Sequence, residues 1–179
     1  MIQSSGLNHI DLATKDMEAT RHFYEDLMGF PLVRADLVEI VGRGEMKHFF
    51  FDIGNGQLLG FMSGEAVDGF SRDYDSGINR GLGLPHGVYH FAFNAASEEE
   101  LAKVKTHLEA NGVGVRGPVD HEGWCKSIYF DDPNGLQLEY CHLSRAFVAD
   151  DAVPQVRFRR EGRRKLPPEA KHDAEASPR

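Results

Sequence analysis

The 179-residue sequence holds only two cysteines, Cys125 and Cys141, too few for a disulfide framework, so reduced thiols are expected. No apolar run approaches the ~20 residues that span a bilayer, so no membrane association is expected. The start, MIQSSGLNHIDLAT, lacks a basic leader and a long apolar stretch, and a cytoplasmic location is the expectation. A basic body is missing too. From Pro154 onward eight Lys or Arg face four acids, so the rest of the chain carries −12 against a total of −8. That acidity argues against a nucleic-acid-binding surface, and the basic end reads as a solvated, mobile extension. With 41% apolar and 27% charged residues, the composition is that of a globular protein able to bury a full core.

What the sequence does contain is one unit written twice. FFFDIGNGQLLGF (49–61) lies over SIYFDDPNGLQLEY (127–140), with Asn55-Gly56 over Asn134-Gly135, Phe51-Asp52 over Phe130-Asp131, and Leu59 over Leu138. The match extends upstream. LNHIDLAT (7–14) alternates like a strand, and Asp16 caps a helix through MEATRHFYEDLMG that Gly29 closes. VYHFAFNA (88–95) opens the second copy, where Ser97 and Glu100 start a helix that ends at Gly112. Each copy reads β-α-β-β-β. The expected fold is α+β: two βαβββ modules forming a curled, cup-shaped mixed sheet with helices outside. The expected boundaries are 5–62 for the first module, 63–87 for a Gly-rich connection, 88–145 for the second module and 146–179 for the tail. A connection of that length is expected to be functional or mobile.

Strand parity singles out three polar residues. Asn8, Ile10, Leu12 and Thr14 share one face and leave His9 on the other. Tyr89, Phe91 and Phe93 form a helix-facing row that excludes His90, and Leu136, Leu138 and Tyr140 one that excludes Glu139. Glu seldom stays buried unless it is paired or binds a metal, and the first copy has Gly60 where the second has Glu139, so the fold itself does not need that acid. Two imidazoles and one carboxylate converging in a cup would make a 2-His-1-carboxylate site for iron(II) or manganese(II). His22, His107, His142 and His172 read as helix-surface, strand-end or tail residues.

On these residues the sequence, over about residues 5–145, resembles the vicinal oxygen chelate superfamily, which includes glyoxalase I, bleomycin- and fosfomycin-resistance proteins and extradiol dioxygenases. The resemblance implies metal ligands on the first and last strands of each module, at His9, Gly60, His90 and Glu139, of which Gly60 cannot ligate. Glyoxalase I-like members use an acid at that position, so their activity is not implied here. The run V-D-H-EGWCKS-I-Y-FD-D-P-N-G-LQL-E is also similar to the extradiol ring-cleavage signature through His121, Tyr129, Pro133, Gly135 and Glu139. One-domain extradiol dioxygenases are the nearest type. Their chemistry implies a catechol-like aromatic substrate, O2, Fe(II) or Mn(II), a His as acid-base group (His121, or His86 beside the ligand strand) and Tyr129 as hydrogen-bond donor.

Other readings stay open. A non-redox isomerase, lyase or thiol transferase of the fosfomycin-resistance kind would want a basic pocket, for which Arg34, Arg116 and Lys126 are the available cations. A metal-free protein that sequesters an aromatic drug is the third. Phe23, Phe50, Trp124 and the 63–87 connection point to an apolar guest, and Tyr129 is also readable as a core aromatic like Phe50. A homodimer is expected, since each module leaves a sheet edge to cover. The site then lies within one chain or across two swapped copies.

Overall fold

The computed structural model describes residues 3–154. Most of the expected 146–179 tail, from residue 155 onward and with His172, lies outside the described residues. The chain divides after Ala146 into two compact units. Within the described residues the second unit carries a single 3-10 turn, Ala149–Ala152.

The first unit contains both modules. The first runs β1 (His9–Ala13), α1 (Met17–Arg21), β2 (Leu32–Ile40), β3 (Gly44–Asp52) and β4 (Leu58–Val67). The short α2 (Ile78–Gly81) lies in the connection, and the second module runs β5 (His90–Asn94), α3 (Glu98–Ala110), β6 (Arg116–Asp120), β7 (Cys125–Asp131) and β8 (Gln137–Leu143). The sheet orders β1-β4-β3-β2 and β5-β8-β7-β6 are the same pattern twice, with one parallel pair in each. Each sheet is four-stranded, mixed and curled without closing, as the repeat predicts. β4 continues past the expected boundary at residue 62, because Val67 and Ala66 pair with Gly44 and Glu45 beyond a bulge in β3.

The helices start where the capping residues predict. Asp16 Oδ1 accepts from the Ala19 amide at 2.9 Å, and Ser97 Oγ from that of Glu100 at 3.1 Å. After Arg21 the first helix widens into a π-helical stretch, His22–Leu27, closed by the Met28 N–H donating to the Phe23 carbonyl.

The two Asn-Gly turns match in sequence but differ in conformation. Asn55 and Gly56 both have positive φ (55° and 69°), the mirror-image turn that suits a two-residue hairpin. In the second module Pro133 stands where the first has Gly54 with φ 97°, a value its ring forbids. The chain instead turns over Asp132–Gly135, with the Gly135 N–H on the Asp132 carbonyl and positive φ only at Gly135.

One core serves both modules, and it lies on their helical sides. Tyr24 packs its ring 4.9 Å from Phe61 and 5.8 Å from Phe51, in its own sheet. Its neighbour Phe23 reaches Phe130 of the second module, and Phe30 reaches Phe93. Each large apolar side chain buried this way contributes about 1.5–3 kcal/mol. A polar clamp accompanies them: Tyr24 Oη donates to Asp132 Oδ2 at 2.9 Å, and Asn134 Nδ2 to Thr20 Oγ1 at 3.2 Å. Asp132 thus holds its own turn, through the amides of Asn134 and Leu136, and the other module at once. Burial raises its carboxyl above the usual range and drives the Tyr24 phenol well above its own.

Two expectations are corrected by this packing. Phe23 is not a guest-binding aromatic, since it is 6% exposed and forms part of the core. Tyr89 does not join the helix-facing row. It precedes β5, lies 49% exposed and is held through its backbone, which exchanges two hydrogen bonds with the Asn79 side chain.

Candidate metal centre

The faces opposite the helical core carry the polar residues that parity assigns to them. Ile10 and Leu12, Phe91 and Phe93, and Leu136, Leu138 and Tyr140 all contribute to the core, which turns His9, His90 and Glu139 the other way. In the second module His90 Nε2 lies 3.1 Å from Glu139 Oε2, and Glu139 is 5% exposed. His9 does not join them in the same chain. Among the described residues no three His, Cys, Asp or Glu side chains are grouped so as to hold a metal ion. The physical reason is the shared core: the modules meet through their helical sides, so the two site faces stay open and separate.

His9 has partners that the sequence reading did not single out. Its Nε2 lies 3.3 Å from Asp11 Oδ2, and Asp11 Oδ1 lies 2.8 Å from His48 Nε2. His48 in turn packs 4.1 Å from the Phe50 ring. The signal was available in H-I-D, because residues two apart on a strand share a face.

Both histidines are set up alike. His90 Nδ1 is 3.1 Å from the Gly87 carbonyl oxygen, and His9 Nδ1 is 2.7 Å from Asn8 Oδ1. Those oxygens only accept, so Nδ1 carries the hydrogen in each ring and the neutral ring's lone pair sits on Nε2. In each module that lone pair faces a carboxylate oxygen. Two acceptors at 3.1–3.3 Å require a proton or a metal cation between them. An outer hydrogen bond that fixes the tautomer is the usual support of a ligating imidazole, so these residues fit a divalent cation.

The remaining candidates separate. Tyr129 stands directly across β7 and β8 from Glu139, and its hydroxyl lies 2.8 Å from His121 Nε2. Burial first, and then the charge of Glu139, raise the Tyr129 phenol above its ordinary value. Arg116 lies over the Tyr129 ring at 5.6 Å, and Trp124 lies 6.0 Å from His121, ring to ring. His86 is engaged elsewhere, 3.1 Å from Asp131. Of the other cations, Arg34 pairs with Asp36 and Lys126 with Glu98. His22 pairs with Asp26, while His107 and His142 bind the carbonyls of Leu27 and Ala95. Neither cysteine is in a disulfide, and burial pushes the Cys125 thiol up to about 12, which keeps it protonated.

The connection leans on the first module. Phe70 covers Gly64, where a Cβ would come 2.6 Å from its ring, and Tyr74 Oη donates to the Thr14 carbonyl. With Met46, Met62 and Leu12 they line a mostly apolar hollow of about 360 Å³ that includes Asp11.

Comparison with known proteins agrees with this architecture. The sequence model of the Glyoxalase/Bleomycin resistance protein/Dioxygenase superfamily matches residues 6–140. A Bacillus subtilis (strain 168) protein named "Putative ring-cleaving dioxygenase MhqA" is 25% identical over 156 residues, covering 84% of this chain and 44% of the relative. The chain thus spans less than half the length of that relative. Among solved structures, the fosfomycin resistance protein FosX from Listeria monocytogenes has 21% identity and a TM-score of 0.53, over 84% of this chain and 100% of its own. A glyoxalase family protein from Enterococcus faecalis has 22% identity and a TM-score of 0.55, over 76% and 97%. With two βαβββ modules that place a histidine on each first strand, the chain belongs to the glyoxalase/bleomycin resistance/dioxygenase superfamily.

Proposed function

We propose that this protein is a divalent-metal enzyme of the extradiol dioxygenase type, acting on a catechol-like aromatic with O2. His9, His90 and Glu139 would hold the cation, with iron(II) preferred and manganese(II) the alternative. The observation that carries the reading is the hydrogen bond between His121 and Tyr129, with Tyr129 opposite Glu139. A metal site alone would serve many reactions, whereas this pair adds a proton acceptor and a donor beside it. The similarity to a protein named as a ring-cleaving dioxygenase supports it.

When bound, iron(II) would supply the electron transfer between an aromatic diol and O2 that ring cleavage requires. The protein side is proton handling and positioning. His121 accepts the proton that a catechol hydroxyl loses, directly or through the Tyr129 hydroxyl 2.8 Å away, and returns it later. Tyr129 donates a hydrogen bond to substrate oxygen, and Arg116 beside it favours developing negative charge. The hollow lined by Met46, Met62, Phe70 and Tyr74 receives an apolar part of the substrate. His86, bound to Asp131, is not assigned a role.

The site is completed in a homodimer, the first-module face of one copy meeting the second-module face of the other. The half-exposed His9 and His90 side chains, 46% and 37%, support this, as does their separation within one chain. Metal analysis of anaerobically purified protein followed by O2 uptake with substituted catechols tests the reading. Bound iron with catechol-dependent O2 uptake is expected. Metal without O2 uptake would favour a non-redox reaction, for which Arg116 is the one site cation without a carboxylate partner named above. No metal at all would refute the proposal.

A further inference from the structure

The first module has an acid after all, carried on the neighbouring strand. In the second module the strand-paired residues beside the histidine are Ala92 on β5 and Glu139 on β8. In the first, the equivalent pair is Asp11 on β1 and Gly60 on β4. Small residue and acid have exchanged strands while the pair keeps its place in the sheet.

The exchange is reciprocal in space as well. A Cβ at Gly60 would lie 2.0 Å from Asp11 Oδ1 and 3.1 Å from the Phe50 ring. The Asp11 carboxylate therefore fills the room that a side chain at position 60 would take. Its distance to the module's histidine, 3.3 Å, parallels the 3.1 Å between Glu139 and His90. Its second oxygen is 2.8 Å from His48 Nε2, and His48 is braced by Phe50, so the carboxylate is held in that orientation.

We propose that Asp11 is a ligand of the same divalent cation, positioned by His48, so that each module contributes one imidazole and one carboxylate. The inference rests on the reading that His9, His90 and Glu139 bind one cation. It changes the coordination count. Two imidazoles and two carboxylates would neutralise a divalent ion, and a fourth protein ligand would leave it fewer positions for substrate than three do.

The test is Mn(II) affinity of the full-length chain, measured by chelator competition without substrate or turnover. Asp11→Ala is expected to weaken Mn(II) binding by more than about 100-fold; a loss of only about 10–100-fold, the cost of an outer partner of a ligand, would overturn the assignment of Asp11 as a ligand. The double variant Asp11→Ala/Gly60→Glu, which returns the acid to the last strand as in the second module, is expected to recover most of that loss. Should Asp11→Ala not fold, Asp11→Asn keeps the shape and a hydrogen-bonding oxygen but removes the charge, and the same weakening is expected. Unchanged Mn(II) affinity in the folded variant overturns the inference. Glu139→Gln separates this from failure of the underlying reading. If Glu139→Gln loses Mn(II) while Asp11→Ala does not, the Asp11 assignment alone falls. If neither affects Mn(II), the three-ligand site falls with it.

Discussion

Replacing Tyr24 by Phe tests the clamp between the modules with almost no change of shape. Tyr24 is fully buried, and its hydroxyl is one of four donors to Asp132, beside the amides of Asn134 and Leu136 and the Asn134 side chain. Removing it leaves Asp132, 6% exposed, short of a donor that water cannot readily replace. Hydrogen bonds to charged groups contribute about 1.5–3 kcal/mol, so a loss of that size at pH 7 is expected. For a domain of this length that corresponds to a fall of roughly 3–12 °C in Tm. The pH dependence adds a signature that lost packing would not produce. The folded state raises the Tyr24 phenol well above its ordinary value of about 10, so its contribution is fully present below pH 10. It is lost as pH rises through the folded value, because the unfolded chain ionises first. Tyr24→Phe lacks this group, so the stability gap between the two proteins should narrow above pH 10. Urea melts at pH 7, 9 and 10.5, followed by circular dichroism, measure it. A gap below about 0.5 kcal/mol at pH 7, the scatter of surface substitutions, or one that does not narrow above pH 10 would refute the reasoning.

Three other outcomes follow from the same geometry. His121→Ala is expected to keep the metal and lose roughly 10²–10⁴-fold in catechol turnover, the range of general acid-base catalysis; unchanged turnover would move that role to His86 or water. Tyr140 is raised to about 12, mainly by burial, so its contribution is present below pH 10 and lost between about pH 10 and 12. Tyr140→Phe should remove about 2–3 kcal/mol of alkaline destabilisation across that window, read from denaturant melts. Light scattering at micromolar concentration should give a dimer mass; a monomer that still binds one tight metal ion would exclude the shared site.

The repeat, the capped helices and the side of each strand on which His9, His90 and Glu139 lie were all legible in the sequence. These are local properties: strand alternation, a side chain one turn from an amide, a glycine where φ must be positive. The two Asn-Gly turns read as copies in the sequence and differ in the structure, where Pro133 stands in place of Gly54 with its positive φ. Sequence alone does not say which surface one module turns toward the other. Both faces of each sheet are partly apolar, and packing decided for the helical faces through Phe23, Tyr24 and Asp132. That choice left His9 apart from His90 and Glu139 in the single chain. The role of Gly60 was likewise hidden. By sequence it is a missing ligand, and only strand register shows that its empty volume is occupied by Asp11, a residue 49 positions earlier, because pairing partners in a parallel sheet are set by the fold.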